Sequence, residues 1–452
     1  MSGRLGNDEA VDLALDGLGR AGVRTGEVYL RESTGVSVEV KDGQVEVVTT
    51  RGERGVGVRV IEDARPGFGY TSDLTSAGIA ACVEAARAMA RVTEPDPDLR
   101  IATETPAPAD LAIQDEGVDA RPVAEQAEVA MRVERAARAY DPRITTFRKT
   151  SYSGSEATTI LATTAGMRGT YRETSYGAGT SAVATQDGER QIGYHGEAAR
   201  RADRVDPEAV GRRSAELAVR KLGARSLETQ KMAILLDPWM GQALLGAIAP
   251  LFSAENVLKG KSLFAGKTGQ QVASDAVTIV DDPRLAGGMR SAPFDGEGVA
   301  TRRRVLVDRG TLSGYLHSLK TASKSGTRPT GNARRGSYGG PAQIASANLH
   351  VAAGTDDPRA LAGRAERALA ITSLLNLHTI DPISGEFSLG AAGDLLEKGE
   401  RAYPVQGITI AGNLTHLLAS VAGIGNDLTF GPSGIGSPTL LITDISIGGT
   451  SK

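Results

Sequence analysis

Five histidines, one cysteine and a pair of closely spaced acids are the residues with which this chain could do chemistry. A helical zinc peptidase site needs two histidines on one helix face with a glutamate beside the first, spaced His-Glu-x-x-His or the looser His-Glu-x-x-x-His. A third ligand then comes from elsewhere. The histidines here are His195, His317, His350, His378 and His416, and the nearest pair, His350 and His378, is 28 positions apart. No helix can present two of them on one face. His195-Gly196-Glu197 begins like a metal motif, but Ala198-Ala199-Arg200 comes next and no second ligand appears. Cys82 lies in an alanine-rich helical pattern and reads as a small buried hydrophobe. As the sole cysteine it excludes an internal disulfide and suits a reducing compartment.

Other chemistries fail on spacing. Gly266-Lys267-Thr268 ends like a phosphate-binding loop, but the required earlier glycine falls at Lys261. The glycines from Gly423 to Gly436 open no helix, so they do not make a dinucleotide loop. Neither Tyr152-Ser153-Gly154-Ser155 nor Pro432-Ser433-Gly434 fits the Gly-x-Ser-x-Gly elbow of a serine hydrolase. Asp295 and Glu297, two residues apart in a turn, have the composition of an acid/base pair. They read better as groups that brace the loop, with Arg302, Arg303 and Arg304 as nearby counter-charges. That basic run is flanked by acids at 295, 297 and 308, so it reads as an ion-pair cluster and not as a nucleic-acid patch.

Composition narrows the class further. Charged residues make up 23% of the chain and the formal net charge is -3, so there is no basic surface for nucleic acid. The N-terminus carries no apolar run behind a basic start, and no stretch approaches the roughly 18 apolar residues of a membrane span. A soluble, cytoplasmic protein without a membrane partner is expected. Many glycines (56) and few aromatics (4%) favour a sheet-rich architecture with tight turns.

The elements that would position these residues can be read from periodicity. A helix from Asn7 to Arg20 precedes strands of period two from Gly26 to Asp63, with Lys41-Asp42-Gly43-Gln44 as a hairpin turn. An alanine-rich helix, Leu74 to Met89, closes this unit. Residues 92–119, with four prolines, read as a linker along the surface. Next come a helix from Pro122 to Tyr140 and a run of strands alternating Ser/Thr with apolar residues. Asp206-Pro207-Glu208 starts another helix with an N-cap and a proline at the first position. Met232 to Leu236 is a short apolar strand, and Asp237-Pro238-Trp239 caps the helix after it. Beyond lie strands and loops, with one alanine-rich helix expected from Pro358 to Leu375. Within this part a hairpin runs through Val305 to Val307, turns at Asp308 to Gly310 and returns through Leu312, Tyr315 and Leu316. The fold class is α+β: an N-terminal helix/antiparallel-sheet domain (1–91), the linker (92–119), a middle α+β segment continuing the N-terminal half (120–225), and a β-rich C-terminal domain with few helices (226–452).

Several phrases, taken together, resemble one family. GVGVRVIED and GFGYTSD in the first unit, then SAPFDGEGV with its hairpin, SGEFSLGAAGDLLEKGERAYPV and ITIAGNL, resemble the TldD/PmbA family. These bacterial proteins were first described as modulators of DNA gyrase and are understood as paired metalloprotease subunits. The resemblance implies that a catalytic TldD-type subunit carries His-Glu-x-x-x-His on a helix after a short strand, with a cysteine ligand in the C-terminal glycine-rich region. The equivalent place here reads Asp237-Pro238-Trp239-Met240-Gly241-Gln242-Ala243, without a histidine. The chain therefore resembles the TldE, or PmbA, branch. That resemblance implies a chain with no catalytic or metal residue and no cofactor of its own, inactive alone, zinc being held by a TldD-like partner in a heterodimer that acts on unfolded or modified peptides. Asp295, Glu297, Arg303 and Asn413 are the polar groups expected nearest the substrate cleft or the subunit interface. A peptide- or protein-binding module that works without a protease partner is the alternative. The basic, glycine-rich stretch 326–343 has no assigned role at this level.

Overall fold

The computed structural model describes residues 5–449 except 116, 119 and 120. Six strands, β1 (Gly26–Lys41), β2 (Gln44–Glu62), β3 (Arg65–Thr71), β4 (Ile144–Thr163), β5 (Arg168–Gln186) and β6 (Glu189–Ala199), form one antiparallel sheet in the order β3-β2-β1-β4-β5-β6. Strands before and after the 92–119 stretch thus share a sheet, joined where β1 pairs with β4 from Glu27↔Thr163 to Val40↔Thr150. The β1–β2 turn places Asp42 at φ 50° and Gly43 at φ 74°. Two left-handed residues make the turn whose twist matches the flanking strands, which is why the Asp-Gly pair sits there.

Side chains alternate across a strand, and this sheet uses the alternation to face two environments. Val28, Leu30, Val56, Val58 and Val60 pack under helices α1 (Asn7–Arg20) and α2 (Ser76–Ala90). Farther along, Val38, Val40, Tyr152 and Tyr176 pack against α3 (Val123–Tyr140), and Ala182 and Ala184 against α4 (Pro207–Val219). Each fully buried aliphatic side chain contributes about 1.5–3 kcal/mol, so this apolar face fixes the strand register. Asp206 caps α4 as its sequence indicates, accepting the Ala209 N–H at 2.9 Å. The opposite face, bearing Ser33, Ser37, Ser155, Thr159 and Glu173, carries none of these four helices and looks toward the C-terminal half.

The C-terminal half is built on a closed ring of strands. Glu400–Asn413, Glu386–Glu397, Arg367–Leu375, β7 (Gln230–Leu236) and Leu440–Gly448 pair in that order, and the pairing of Thr409–Ala411 with Ser446–Gly448 closes the circle. One pairing, Arg367–Leu375 with β7, is parallel, so the sheet is mixed. Helix α5 (Pro238–Ile248) comes after β7 and sends Met240, Leu244, Leu245 and Ile248 into the main core. Asp237 caps it, accepting the Met240 N–H at 2.9 Å. A second, smaller sheet of short strands includes Ile279–Asp281, Arg304–Asp308 and His350–Val351.

Three local expectations are revised. The alanine-rich run from Pro358 is helical only to Gly363, and Arg367–Leu375 is a strand. Flanked by β7 and Glu386–Glu397, it satisfies its backbone in two ladders while Ala368, Leu369 and Ile371 are buried, and that tertiary gain outweighs alanine's helix preference. Pairing in the 305–316 hairpin ends just past Leu312, with the Ser313 N–H donating to the Leu306 carbonyl at 2.8 Å; Leu316 bridges Ser253 instead. The 92–119 stretch is partly sunk into the protein, with Ala102, Leu111, Ile113 and Val118 buried. It bonds to both halves: Thr174 N–H donates to the Ile113 carbonyl at 2.9 Å, and Gly287 N–H to that of Leu111 at 2.7 Å.

Candidate substrate cleft

This opposite face of the N-terminal sheet and the C-terminal half enclose an open cleft of about 1270 Å³. That exceeds the range of roughly 300–1,000 Å³ in which small-molecule sites fall. Its floor is the hydroxyl-rich surface of β1, β4 and β5, and one wall is made by Met289, Arg290, Phe294 and Arg334. Phe294 seats the wall on the sheet, packing with Tyr29, Leu161 and Met167 and meeting the Tyr171 ring edge-on at 5.1 Å. Gly169 is small for this reason, since a Cβ there would lie 2.6 Å from the Phe294 ring.

A buried ionic cluster holds the two halves together beside the cleft. Glu27, only 1% exposed, accepts from Arg59 Nη2 at 2.9 Å and also from Arg335 Nη2. Arg335 in turn donates from Nε to the Gly296 carbonyl at 2.7 Å, and its guanidinium lies 4.7 Å from the centre of the Tyr29 ring. Burial pushes the Glu27 carboxyl upward, but the Arg59 and Arg335 charges outweigh it and hold the group below its usual range. Arg335 belongs to the 326–343 stretch, which the sequence left unassigned. Tyr338 of the same stretch lies over β2, where a Cβ on Gly57 would come 2.3 Å from the Tyr338 carbonyl oxygen.

Asp295 and Glu297 sit at the foot of this cluster. Asp295 Oδ1 accepts the N–H groups of Glu297 at 2.9 Å and Val299 at 3.0 Å, and Oδ2 that of Ala333 at 2.9 Å. Glu297 Oε2 accepts the Leu319 N–H at 2.7 Å. Burial, and then the Glu297 charge, push the Asp295 carboxyl up to about 7. Burial also raises Glu297, with Arg59 opposing it. The counter-charges are therefore Arg59 and Arg335, brought from far away in sequence, and not the neighbouring 302–304 run. Arg302 and Arg303 point to solvent, and Arg304 donates to the Thr330 carbonyl at 3.4 Å.

These shifts have a signed consequence for stability. A carboxyl whose folded pKa exceeds its unfolded value binds protons in the native state that the unfolded chain releases. Asp295 therefore costs stability as pH rises from about 4 to about 7 and returns it as pH falls through the same window, and Glu297, raised too, acts with the same sign. Glu27 has the opposite sign: its contribution is present above about pH 4.3 and is lost as pH falls through its depressed folded value. Glu297→Gln removes one raised group and the like charge beside Asp295. Urea midpoints measured from pH 5 to 8 are expected to fall less steeply with pH than in the parent protein. An unchanged slope would show that the pair does not titrate there.

Of the four expected site residues Asp295 lines the cleft, and Glu297, Arg303 and Asn413 lie outside its lining. Arg303 is exposed, with Nε 3.8 Å from Asp282. Asn413 caps the short helix Leu414–Ala419, accepting the Thr415 N–H at 2.9 Å and donating to the Ser384 carbonyl at 2.8 Å. Sequence reading missed Arg31, Glu173, Arg200, Arg290 and Arg334. A signal existed for the first two, charged residues placed on the cleft face of otherwise regular strands. The others could not be placed without the fold.

Helix α5, where the resemblance implies that a catalytic subunit carries its ligands, holds no histidine, cysteine, aspartate or glutamate. Gln242 donates to the Thr429 carbonyl at 2.8 Å, and a Cβ on Gly241 would meet Ser437 Oγ at 2.2 Å, so apolar packing and an amide occupy the position. Among the described residues no three His, Cys, Asp or Glu side chains gather where they could hold a metal ion. His195 lies 5.0 Å from the Trp239 ring, His416 beside Asp444 at 3.2 Å, and buried His350 on the Asn348 carbonyl at 2.8 Å. Among the described residues, the groups present do not fit zinc.

This chain belongs to the PmbA/TldD family. It matches PmbA/TldA metallopeptidase domain 1 over residues 26–90, the central domain over 116–222 and the C-terminal domain over 229–449. It is 30% identical over 444 residues to the metalloprotease PmbA of Escherichia coli, covering 98% of this chain and 96% of that protein. To the metalloprotease TldD homolog of Haemophilus influenzae it is 27% identical, over 94% of this chain and 93% of the relative. A crystal structure from Thermotoga maritima, provisionally assigned as a modulator of a DNA gyrase, superposes with a TM-score of 0.89 at 28% identity, covering 98% of this chain and 100% of that one. TldE from Thermococcus kodakarensis shares the fold, with a TM-score of 0.84 at 21% identity over 96% and 100% of the two chains. No helix among the described residues is long and apolar enough to cross a membrane.

Proposed function

We propose that this chain is the metal-free, TldE-type subunit of a heterodimeric zinc metalloprotease, and that it supplies part of the peptide cleft to a TldD-type partner that holds the zinc. The observation that carries this reading is α5: in a family whose relatives are metalloproteases, the helix after β7 bears Trp239, Met240, Gly241 and Gln242 where ligands and a general base would be needed. The cleft supports the peptide half of the reading. Its floor of serine and threonine hydroxyls can bond an extended main chain without demanding sequence. At its rim, residues 44–55 of β2 pair, among the described residues, with β1 alone, leaving one edge of the strand for main-chain bonding. A zinc titration of this chain alone, monitored by calorimetry, is expected to give no stoichiometric binding, whereas the co-purified pair should carry zinc. Stoichiometric zinc on the single chain would overturn the assignment.

A further inference from the structure

We propose that Arg290 and Arg334 form an anchor for a carboxylate of the extended peptide in the cleft. This rests on the peptide-cleft reading above and adds a specificity element to it. Most of the cationic groups along the cleft are already neutralised: Arg31 and Arg200 share Glu173 at 3.2 and 2.8 Å, Lys149 bonds Glu39, and Arg335 bonds Glu27. Among the described residues Arg51 also lines the cleft without an ion pair, but on an exposed stretch of β2; Arg290 and Arg334 differ from it in lying on the cleft wall. Among the described residues neither has a carboxylate within ion-pair distance, and the bonds made by their guanidinium groups go to carbonyls: Arg290 Nε to Ser433 at 3.1 Å, and Arg334 Nη2 to Arg290 itself.

Both side chains line the cleft wall, Arg334 tied to the main chain of Arg290, and each keeps most of its donors unspent, since a guanidinium carries five N–H groups. Burial draws Arg334 below the ordinary arginine value and the Arg290 charge adds to the lowering, with Asp281 and Glu173 opposing it only in part, so an anion placed there would favour the charged form. The same cleft bears Glu53 and Glu156, which would repel a polyanion along its length. A single carboxylate on an otherwise uncharged chain fits both features, and planar guanidinium groups match it with paired hydrogen bonds. The carboxylate is either the peptide's C-terminus or one acidic side chain.

Calorimetric titration of the full chain with three N-acetylated decapeptides of neutral sequence separates these sources. One has a free C-terminal acid, one a C-terminal amide, and one an amide with a single internal glutamate. Charge-assisted bonds of this kind predict binding of the acid about ten- to a hundredfold tighter than of the plain amide. Arg334→Met and Arg290→Met should each erase the difference, while Arg334→Lys, keeping charge without the fork, should keep part of it. If the glutamate-bearing amide gains as much as the acid, the anchor stands with a side chain as its ligand. Equal affinity for all three peptides, or a difference that persists in Arg334→Met, overturns the anchor. Cleavage of all three by the pair with a TldD-type subunit would then leave the cleft reading intact, and failure to bind or cleave any of them would remove both.

Discussion

Arg335→Met is expected to destabilise the protein by about 3–5 kcal/mol, the cost of leaving a buried carboxylate without its partner. Glu27 and the Arg335 side chain are each 1% exposed, so water cannot replace the lost guanidinium. Arg59 remains bonded to Glu27 but must then also serve Glu297, whose carboxyl burial already raises. The loss should be largest near neutral pH and shrink as pH falls through the range where Glu27 takes up its proton, because a neutral glutamic acid needs no counter-charge. Adding Glu27→Gln to Arg335→Met should recover part of the loss, since removing both charges avoids the stranded ion. Urea unfolding of the two single variants and the double variant measures this directly. A cost below about 1 kcal/mol for Arg335→Met would mean that the cluster is hydrated and does not clamp the halves.

Gly57→Ala is expected to cost about 1–3 kcal/mol although it adds one methyl group. The new Cβ would lie 2.3 Å from the Tyr338 carbonyl oxygen, a backbone atom that cannot rotate away, so the 326–343 stretch must lift off β2. Lifting it pulls on Arg335 and, through the Gly296 carbonyl, on the cleft wall that carries Asp295 and Phe294. Limited proteolysis should therefore cut within 326–343 faster in the variant than in the parent. Gly52, on the same strand with nothing within 4 Å of its virtual Cβ, provides the control. Its alanine variant should unfold and digest like the parent. If Gly57→Ala behaves like Gly52→Ala, the stretch is not docked on the sheet.

How far the sequence reaches into this molecule depends on the range of the interactions concerned. Short-range signals were readable: the Asp42-Gly43 turn, the Asp206 and Asp237 caps, and the strand alternation of β1 and β2 are each decided within a few residues. The strand at Arg367–Leu375 was hidden because its ladder partners lie at 233–236 and 390–397, and no local pattern reports them. The same holds for charge. Asp295 and Glu297 were visible as a pair, but their partners were sought in the adjacent 302–304 run, whereas folding delivers Arg59 and Arg335 from other elements. Asn413, expected near the cleft or the subunit interface, lies outside the cleft lining and caps a helix, a bond that the glycine-rich turn around it does not announce. The lack of a His-Glu-x-x-x-His segment, by contrast, is read directly from histidine spacing, because it is a property of the chain and not of its fold.

The most direct test of the proposed division of labour is a peptidase assay on unfolded peptides with zinc supplied, using this chain alone and this chain co-expressed with a TldD-type subunit. No cleavage by the single chain and cleavage by the pair is the expected result, with activity lost when the partner's zinc is chelated. Cleavage by the zinc-supplied single chain would contradict the assignment and move the catalytic site to residues of this chain that α5 does not contain.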